Sequence, residues 1–440
     1  MSESKNTSVK KTPMRAKKYN RRTVLLSALF CILFLLGIAL FSAAVWYKKT
    51  YDLEFKELLY TIVSPLKGTG ESTVLLIMKA VVPPAVIGAI AYIAILTALL
   101  KRQNKLLLRI GAILSAAVFA ASLGFGVYAM RLPAYIVAIS QKTKLYENYY
   151  IDPDTVNITA DGETKNLIYI YLESMETTYA SKEVGGAQET NNYLPNLTAM
   201  AKEGISFTDK ADGLLGGFHT PTGTTWTMAA LLSTTSGIPF SFPIAGDGQN
   251  YMSKHKYFAT GLTTLGDILE DRGYTNEFLC GSNATFGGRR NYFTQHGNYK
   301  IFDLYTARST GYIGKDYHDG WWGFEDFYLY EIAKDALLSL AELDAPFNFT
   351  MLTVDTHHVD GHRCKLCGKE YSKNIENVIS CADKQVAEFV EWCMEQDFYQ
   401  DSVIIVSGDH PRMDTRLVSG VDYYDRTIYN CFFKIGRAHV

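Results

Sequence analysis

The chain has 440 residues, 48% of them hydrophobic and 20% charged, and its formal net charge is −2. It is too long for one ordinary domain, and its apolar residues are concentrated near the N-terminus, which predicts a membrane region followed by a soluble region. A net charge this close to zero gives no reason to expect a nucleic-acid partner.

The N-terminal part contains three apolar runs, at residues 23–46, 73–100 and 106–130. Each is long enough for the helix of about 20 residues that crosses a bilayer. They follow a basic arm, residues 1–22, which the positive-inside rule places in the cytoplasm. We therefore predict a multi-pass protein of the cell membrane, with three transmembrane helices within residues 23–130 and everything after them outside the cytoplasm. A cleaved signal peptide is the alternative for the first run, but that run is longer than a typical signal and two more follow.

Residues 131–154 are rich in tyrosine and form a predicted connector near the bilayer surface. Beyond them, three short β-rich runs, residues 166–172, 347–354 and 402–406, alternate with helical patterns. This alternation predicts an α/β sandwich with a mostly parallel central sheet over residues 155–434. Each run is followed by ionisable residues, and ligands of such sheets bind where the strands end.

Two of these strand ends carry residue types that bind metal ions. Glu173 directly follows the first run, and Asp409 and His410 follow the last. Taken singly, a turn or a helix cap would explain each of them. Together, two carboxylates and an imidazole predict a site for one divalent metal, and this ligand set suits Mn²⁺, Zn²⁺ or Mg²⁺.

A nucleophile is expected beside the metal, because a cation favours the alkoxide of a hydroxyl group. The threonine-rich segment at residues 221–230 leads from a glycine-containing loop into a predicted helix, whose N-terminus would stabilise a phosphate. The alternative is a simple threonine-rich helix cap. The residues alone do not choose among four hydroxyls, which are Thr222, Thr224, Thr225 and Thr227.

Four motifs occur in one order along the chain: Glu-Ser after the first strand, Gly-Thr-x-Trp-Thr, Thr-x-Asp-Thr-His-His and Ser-Gly-Asp-His. In this combination the chain resembles the lipoteichoic acid synthase and phosphoglycerol transferase family of the sulfatase and alkaline phosphatase superfamily. Within that family it is most similar to the members that modify osmoregulated periplasmic glucans. The resemblance covers the region from about Tyr146 to Phe433 and implies an alkaline phosphatase/sulfatase-like domain.

The resemblance implies a role for individual residues. It makes Thr227 both the nucleophile and a metal ligand, and its other implied ligands are Glu173, Asp409 and His410. It implies that His357 contacts the substrate phosphate and that Arg289 binds the phosphoglycerol head, with Arg290 as a competitor for this role. It favours Mn²⁺ as the metal. Val359 departs from the family pattern, which often has proline after the two histidines, and this affects the loop around His358.

The implied activity is transfer of glycerophosphate from phosphatidylglycerol to a glucan, teichoic acid or glycolipid acceptor, through a covalent intermediate on the threonine. The first alternative is a phosphoethanolamine transferase, although Glu-Ser stands where those enzymes usually have Gly-Glu-Thr. A sulfatase is a further alternative, but its Cys/Ser-x-Pro-x-Arg motif is absent. An inactive envelope-binding or sensor protein is the alternative from a different class.

The sequence has seven cysteines. The Cys-x-x-Cys pair of Cys364 and Cys367 could suggest zinc, but the predicted location outside the cytoplasm favours a disulfide. The resemblance implies that Cys364 pairs with Cys381, which leaves Cys367 over. Three others are predicted to be buried small apolar residues: Cys280, Cys393 and Cys431.

The last six residues, 435–440, match the translation of a common sequencing adapter and are predicted to be a non-native tail. The resemblance implies another strand and helix after this point. We therefore expect the soluble domain to be truncated at its C-terminus.

Overall fold

The computed structural model of the protein describes residues 21–51, 55, 58, 71–102, 105–141, 144–156, 164–211, 213–240, 257–317, 322–357 and 360–435. Most of the predicted basic arm and most of the predicted tail lie outside these residues. The chain divides into two compact units. One unit comprises Met1–Trp46 and Ile77–Ala129, and the other comprises Tyr47–Leu76 and Met130–Val440.

Three long helices supply the N-terminal unit, α1 (Arg21–Thr50), α2 (Glu71–Arg102) and α3 (Lys105–Ala129), although the end of α1 and the start of α2 belong to the second unit. Each is long and apolar enough to cross a membrane, as predicted. Only 6%, 0% and 11% of their most apolar stretches are buried within the protein, so apolar side chains cover their outer surfaces. A surface of this kind is stable in lipid and supports membrane anchoring of the soluble domain.

Two short helices follow within the predicted connector, α4 (Leu132–Ser140) and α5 (Leu145–Tyr149). A proline lies near the start of α4. Proline is well tolerated there, because it lacks a backbone N–H and the first N–H groups of a helix have no partner within the helix. The side chains of Tyr146, Tyr149 and Tyr150 are exposed. Exposed tyrosines of this kind are typical of a segment at a membrane–water interface.

The second unit contains a sheet of six strands in the order β3-β2-β4-β1-β5-β6. Its strands are β1 (Asn166–Leu172), β2 (Thr275–Cys280), β3 (Lys300–Phe302), β4 (Phe347–Leu352), β5 (Ser402–Gly408) and β6 (Asn430–Phe433). All neighbouring pairs are parallel except β5 and β6. The predicted α/β sandwich with a mostly parallel sheet is confirmed.

Helices cover both faces of this sheet. They are α6 (Pro195–Glu203), α7 (Thr227–Ser236), α8 (Leu265–Glu270), α9 (Arg289–Gln295), α10 (Leu304–Thr310), α11 (Asp326–Ala341) and α12 (Asn374–Met394). Because side chains alternate along a strand, Ile170 of β1 lies in one hydrophobic core with α6, α11 and α12. Tyr171 lies in the other, with α7 and α9.

Candidate active site

The strand register brings the predicted metal ligands together. Leu172 at the end of β1 lies beside Gly408 at the end of β5, so the residues that follow, Glu173 and Asp409, emerge at the same edge of the sheet. His410 comes next in the chain. Glu173, Asp409 and His410 are all buried, and they offer ligand atoms within 4.8 Å of one another. These three residues, here called the carboxylate–histidine cluster, form a potential metal site.

The hydrogen bonds of His410 determine which ring nitrogen faces the cluster. Nδ1 lies 2.8 Å from the carbonyl oxygen of Pro411, which can only accept, so Nδ1 carries the proton. In the neutral ring Nε2 is then left with a free electron pair. It lies 3.5 Å from Glu173 Oε1 and 3.4 Å from Asp409 Oδ2. A histidine fixed through its other nitrogen in this way is typical of metal sites.

The electrostatics of the cluster also fit a cation. Burial, and after it the charge of Asp409, raises the pKa of Glu173 to about 7. Burial raises the pKa of Asp409 as well. Asp409 Oδ2 is buried and accepts no hydrogen bond from the part of the chain that the structure describes. Two desolvated carboxylates with an unused acceptor oxygen would be stabilised by a divalent ion, so these residues fit one.

A strained backbone turn after β1 sets the positions of the two carboxylates. Ser174 has a φ of 52°, a region that residues with a side chain seldom adopt. In this conformation its N–H donates to Asp409 Oδ1 at 2.8 Å, and its hydroxyl donates to Glu173 Oε1 at 2.7 Å. Ser174 therefore links the ends of β1 and β5. The Glu-Ser motif predicted a ligand or a helix cap, and this role of Ser174 was not predicted.

Among the four candidate hydroxyls, Thr227 is the one that the structure places beside the cluster. It is the first residue of α7, and its Oγ1 lies 3.3 Å from both Glu173 Oε2 and His410 Nε2. Thr224 instead donates to the carbonyl of Pro221 at 2.7 Å. Thr227 is half-buried, so its hydroxyl remains accessible to a substrate.

Arg289 is buried at the start of α9. Its Nε donates to the carbonyl of Phe286 at 3.1 Å, and its Nη2 donates to the carbonyl of Asn283 at 2.9 Å. Its Nη1 is buried and has no hydrogen-bond partner among the described residues. Two fixed donors thus orient a third N–H group that is available for an anion. The charge of Arg289 is also among the interactions that lower the pKa of Glu173, although burial raises it more.

Trp322 joins Arg289 to His357. The Arg289 guanidinium carbon lies 5.1 Å from the centre of the Trp322 ring, and the ring of His357 stacks on Trp322 with 3.9 Å between ring centres. Arg290 instead forms an ion pair with Asp303. Nothing in the sequence around Trp322 had indicated a role for it.

His358 and Val359 are outside the described residues. A further histidine, His219, is exposed, and its ring nitrogens lie 3.0 Å from Asp209 Oδ2 and 3.0 Å from the carbonyl of Tyr424.

All seven cysteines are free thiols in the structure. Cys364 Sγ lies 3.9 Å from Cys381 Sγ and 3.7 Å from Cys367 Sγ. The predicted partners are therefore adjacent but not bonded, and their pairing stays a prediction. Three further cysteines are buried as predicted, namely Cys280, Cys393 and Cys431.

Comparison with known proteins extends these observations. Residues 165–414, which include the whole carboxylate–histidine cluster and Thr227, match the sulfatase family. The chain belongs to this family. The predicted resemblance to the superfamily is thus confirmed.

Two individual relatives share the name phosphoglycerol transferase I. The chain is 29% identical over 259 residues to phosphoglycerol transferase I of Xanthomonas axonopodis pv. citri (strain 306), which covers 58% of this chain and 34% of the relative. It is 31% identical over 296 residues to phosphoglycerol transferase I of Salmonella paratyphi B (strain ATCC BAA-1250 / SPB7), covering 65% and 35%. The chain therefore spans about a third of the length of these curated relatives.

One solved structure has a comparable fold over most of the chain. It is the integral membrane protein lipooligosaccharide phosphoethanolamine transferase A from Neisseria meningitidis, with a TM-score of 0.50 and 16% identity. The alignment covers 92% of this chain and 77% of that protein. At this identity the similarity shows a shared fold.

Proposed function

We propose that the chain is a membrane-anchored phosphoglycerol transferase. It would move glycerophosphate from phosphatidylglycerol to a polysaccharide or glycolipid of the cell envelope, with Thr227 as the nucleophile. The observation that carries this proposal is the position of the Thr227 hydroxyl, 3.3 Å from Glu173 Oε2 and from His410 Nε2 at the start of a helix. The names of the curated relatives support the choice of glycerophosphate as the transferred group.

Four residues would hold the metal ion: Glu173, Thr227, Asp409 and His410. Mn²⁺ is favoured by the family resemblance, and Zn²⁺ and Mg²⁺ also suit carboxylate, hydroxyl and imidazole ligands. When bound, the ion would stabilise negative charge on the threonine oxygen and on the phosphoryl group.

The reaction would proceed in two displacements at phosphorus. In the first, Thr227 Oγ1 forms a bond to the phosphorus of phosphatidylglycerol, and the bond from phosphorus to the diacylglycerol oxygen breaks. Diacylglycerol leaves as an alcohol, which balances the proton lost by Thr227. In the second, an acceptor hydroxyl replaces Thr227 on the phosphorus, and the threonine regains a proton.

Other side chains would bind the phosphoryl group. Arg289 offers the unused Nη1 donor, held in a fixed direction by its two hydrogen bonds to carbonyl groups. His357 would contact the phosphate from its place on Trp322. The first N–H groups of α7 point in the direction that stabilises an anion next to Thr227. Preorganised donors of this kind favour the transition state because they need no rearrangement.

The membrane region would give the enzyme access to its donor. The proposed topology has a cytoplasmic N-terminus, three membrane crossings and an extracytoplasmic catalytic domain. Phosphatidylglycerol is itself a component of the bilayer in which the helices would lie. Anchoring would therefore raise the local concentration of donor at the site.

The test uses the full chain in detergent with labelled phosphatidylglycerol and Mn²⁺. We expect release of diacylglycerol and transfer of label to an added glucan, teichoic acid or glycolipid. A parallel sample with labelled phosphatidylethanolamine distinguishes a phosphoethanolamine transferase. Failure to release diacylglycerol from either lipid would reject the transferase proposal and leave a sulfatase or a binding protein.

A further inference from the structure

Three cysteine sulfurs lie together outside the candidate active site. Cys364 and Cys367 are in the segment that follows β4, and Cys381 is on α12. Their Sγ atoms all lie within 4.8 Å of one another, and Cys364 and Cys381 are buried while Cys367 is half-buried. Glu173, Asp409 and His410 form a separate group. We call the three cysteines the thiol cluster.

Two of the three distances between the sulfurs match the edges of a metal-centred tetrahedron, and the third is within 4.8 Å. Zn–S bonds are about 2.3 Å long, so two thiolates of one tetrahedral zinc ion are about 3.8 Å apart. Cys364 Sγ lies 3.7 Å from Cys367 Sγ and 3.9 Å from Cys381 Sγ. A disulfide would join only two of the three sulfurs and would leave the third position unexplained.

One side-chain N–H group donates to a sulfur of the cluster, as donors do in metal–thiolate sites. The side-chain amide of Gln385 donates to Cys381 Sγ at 3.2 Å. A thiolate accepts such bonds strongly, and donors around the ligand sulfurs orient and stabilise a metal-bound thiolate.

The local sequence is also that of a metal-binding turn. Cys364 and Cys367 have the Cys-x-x-Cys spacing that supplies two ligands to a tetrahedral ion. The Cys367 N–H donates to the carbonyl of Cys364 at 3.2 Å, which closes a tight turn and places both sulfurs on one side.

We propose that Cys364, Cys367 and Cys381 bind a second, thiophilic divalent metal ion, with zinc as the best match. Three protein ligands leave a fourth position, which the partial exposure of Cys367 makes accessible to solvent. The ion would tie the segment after β4, which begins close to His357, to α12. This site and the predicted Cys364–Cys381 disulfide exclude each other, because a disulfide sulfur does not act as a thiolate ligand.

The first measurement is the metal content of the full chain, isolated from membranes in detergent without reductant or chelator. We expect one equivalent of zinc that persists in an Asp409→Asn variant, whose carboxylate–histidine cluster is impaired. Peptide mapping should find Cys364, Cys367 and Cys381 unoxidised. A disulfide between any two of them, or no retained zinc, overturns the proposal.

Cobalt gives a spectroscopic signature that the carboxylate–histidine cluster does not produce. After reduction and removal of metal, one equivalent of Co²⁺ should produce sulfur-to-cobalt charge-transfer absorption, and Zn²⁺ should abolish it. Cys381→Ser should remove this absorption, while the matched control Cys393→Ser, on the same helix, should retain it.

The cobalt titration of the wild-type protein tests the proposal even if a variant fails to fold. Circular dichroism would reveal such a failure. Absence of charge-transfer absorption in the reduced wild-type protein contradicts the proposal. None of these measurements uses transferase activity, so the proposed function and the thiol-cluster proposal fail independently.

Discussion

Glu173 and Glu176 follow the same strand and are both fully buried, but their surroundings differ. Glu173 faces another carboxylate, Asp409, whose Oδ2 accepts no hydrogen bond from the described residues. Glu176 accepts hydrogen bonds from Arg426 Nε at 3.1 Å and from the backbone N–H of Arg412 at 2.6 Å. Glu173 thus faces a second carboxylate, whereas Glu176 faces N–H groups of two arginines.

The network around Glu176 balances its charges. Arg426 pairs with Glu176, and Arg412 pairs with Asp414, with 2.7 Å between Arg412 Nε and Asp414 Oδ1. Arg412 also donates to the carbonyl of Thr356, close to His357. The paired network holds the backbone around the carboxylate–histidine cluster. A buried group whose charges are balanced thus contributes order, whereas a group left with excess negative charge is prepared for a ligand.

The largest expected effect is that of Thr227→Ala on activity. Loss of the nucleophile should reduce diacylglycerol release by at least about 10³-fold, with little change in stability because the hydroxyl is half-buried. The assay is release of diacylglycerol from labelled phosphatidylglycerol. Thr224→Ala is the matched control, since that hydroxyl donates to the Pro221 carbonyl, and it should keep most activity. Equal activity of the two variants would exclude Thr227 as nucleophile.

Glu176→Gln tests the charge-balanced network around Glu176. Removing this charge leaves Arg426 buried without its counter-charge, so unfolding free energy should fall by about 3–5 kcal/mol. Denaturant unfolding of the full chain in detergent, followed by tryptophan fluorescence, measures the change. The matched control is Glu189→Gln, which removes an exposed ion pair with Lys182 and should cost no more than about 0.5 kcal/mol. Similar losses in both variants would show that the buried network has no special structural role.

Arg289→Lys tests whether the unused Nη1 donor binds substrate. Lysine keeps the charge but loses the planar fork, so kcat/KM for phosphatidylglycerol should fall by about 10²-fold. Arg290→Lys is the control, because Arg290 is engaged by Asp303, and its kcat/KM should change much less. The opposite ranking would assign substrate binding to Arg290.

The smallest expected effect comes from Asp409→Asn in metal-free protein. This change relieves repulsion with Glu173 and retains the acceptor oxygen for the N–H of Ser174, so metal-free stability should rise on the order of 1 kcal/mol. Added Mn²⁺ should raise the Tm of the wild-type protein but not that of the variant, because a ligand stabilises only the form that binds it. If metal-free Asp409→Asn is less stable than wild type, the two carboxylates do not repel each other as the structure indicates.

Much of the fold could be predicted from local patterns. Long apolar runs predicted α1, α2 and α3, and short β-rich runs predicted β1, β4 and β5. The strands β2, β3 and β6 were not predicted. β3 has only three residues, and β6 has only four, so neither gives a clear period-two pattern. The antiparallel direction of β6 depends on its pairing with β5, which the sequence of β6 does not encode locally.

The residues of the candidate site also divide into those that local sequence patterns predicted and those that they did not. Glu173, Asp409 and His410 could be proposed because they directly follow apolar runs. The selection of Thr227 required a family resemblance, since four threonines occur within six residues. The positive φ of Ser174 and the stack of Trp322 on His357 were missed, because each depends on a contact with a distant part of the chain.

The sequence by itself determined the membrane helices, the sheet class and the residue types at the strand ends, because hydrophobic periodicity and strand-end polarity are properties of neighbouring residues. Only the tertiary structure decided which of those residues meet. The register of β1 with β5 places Glu173 beside Asp409. The packing of α7 places the Thr227 hydroxyl 3.3 Å from Glu173 and from His410, and the approach of α12 completes the thiol cluster. Each of these contacts joins residues far apart in the chain, and so it depends on how whole strands and helices pack.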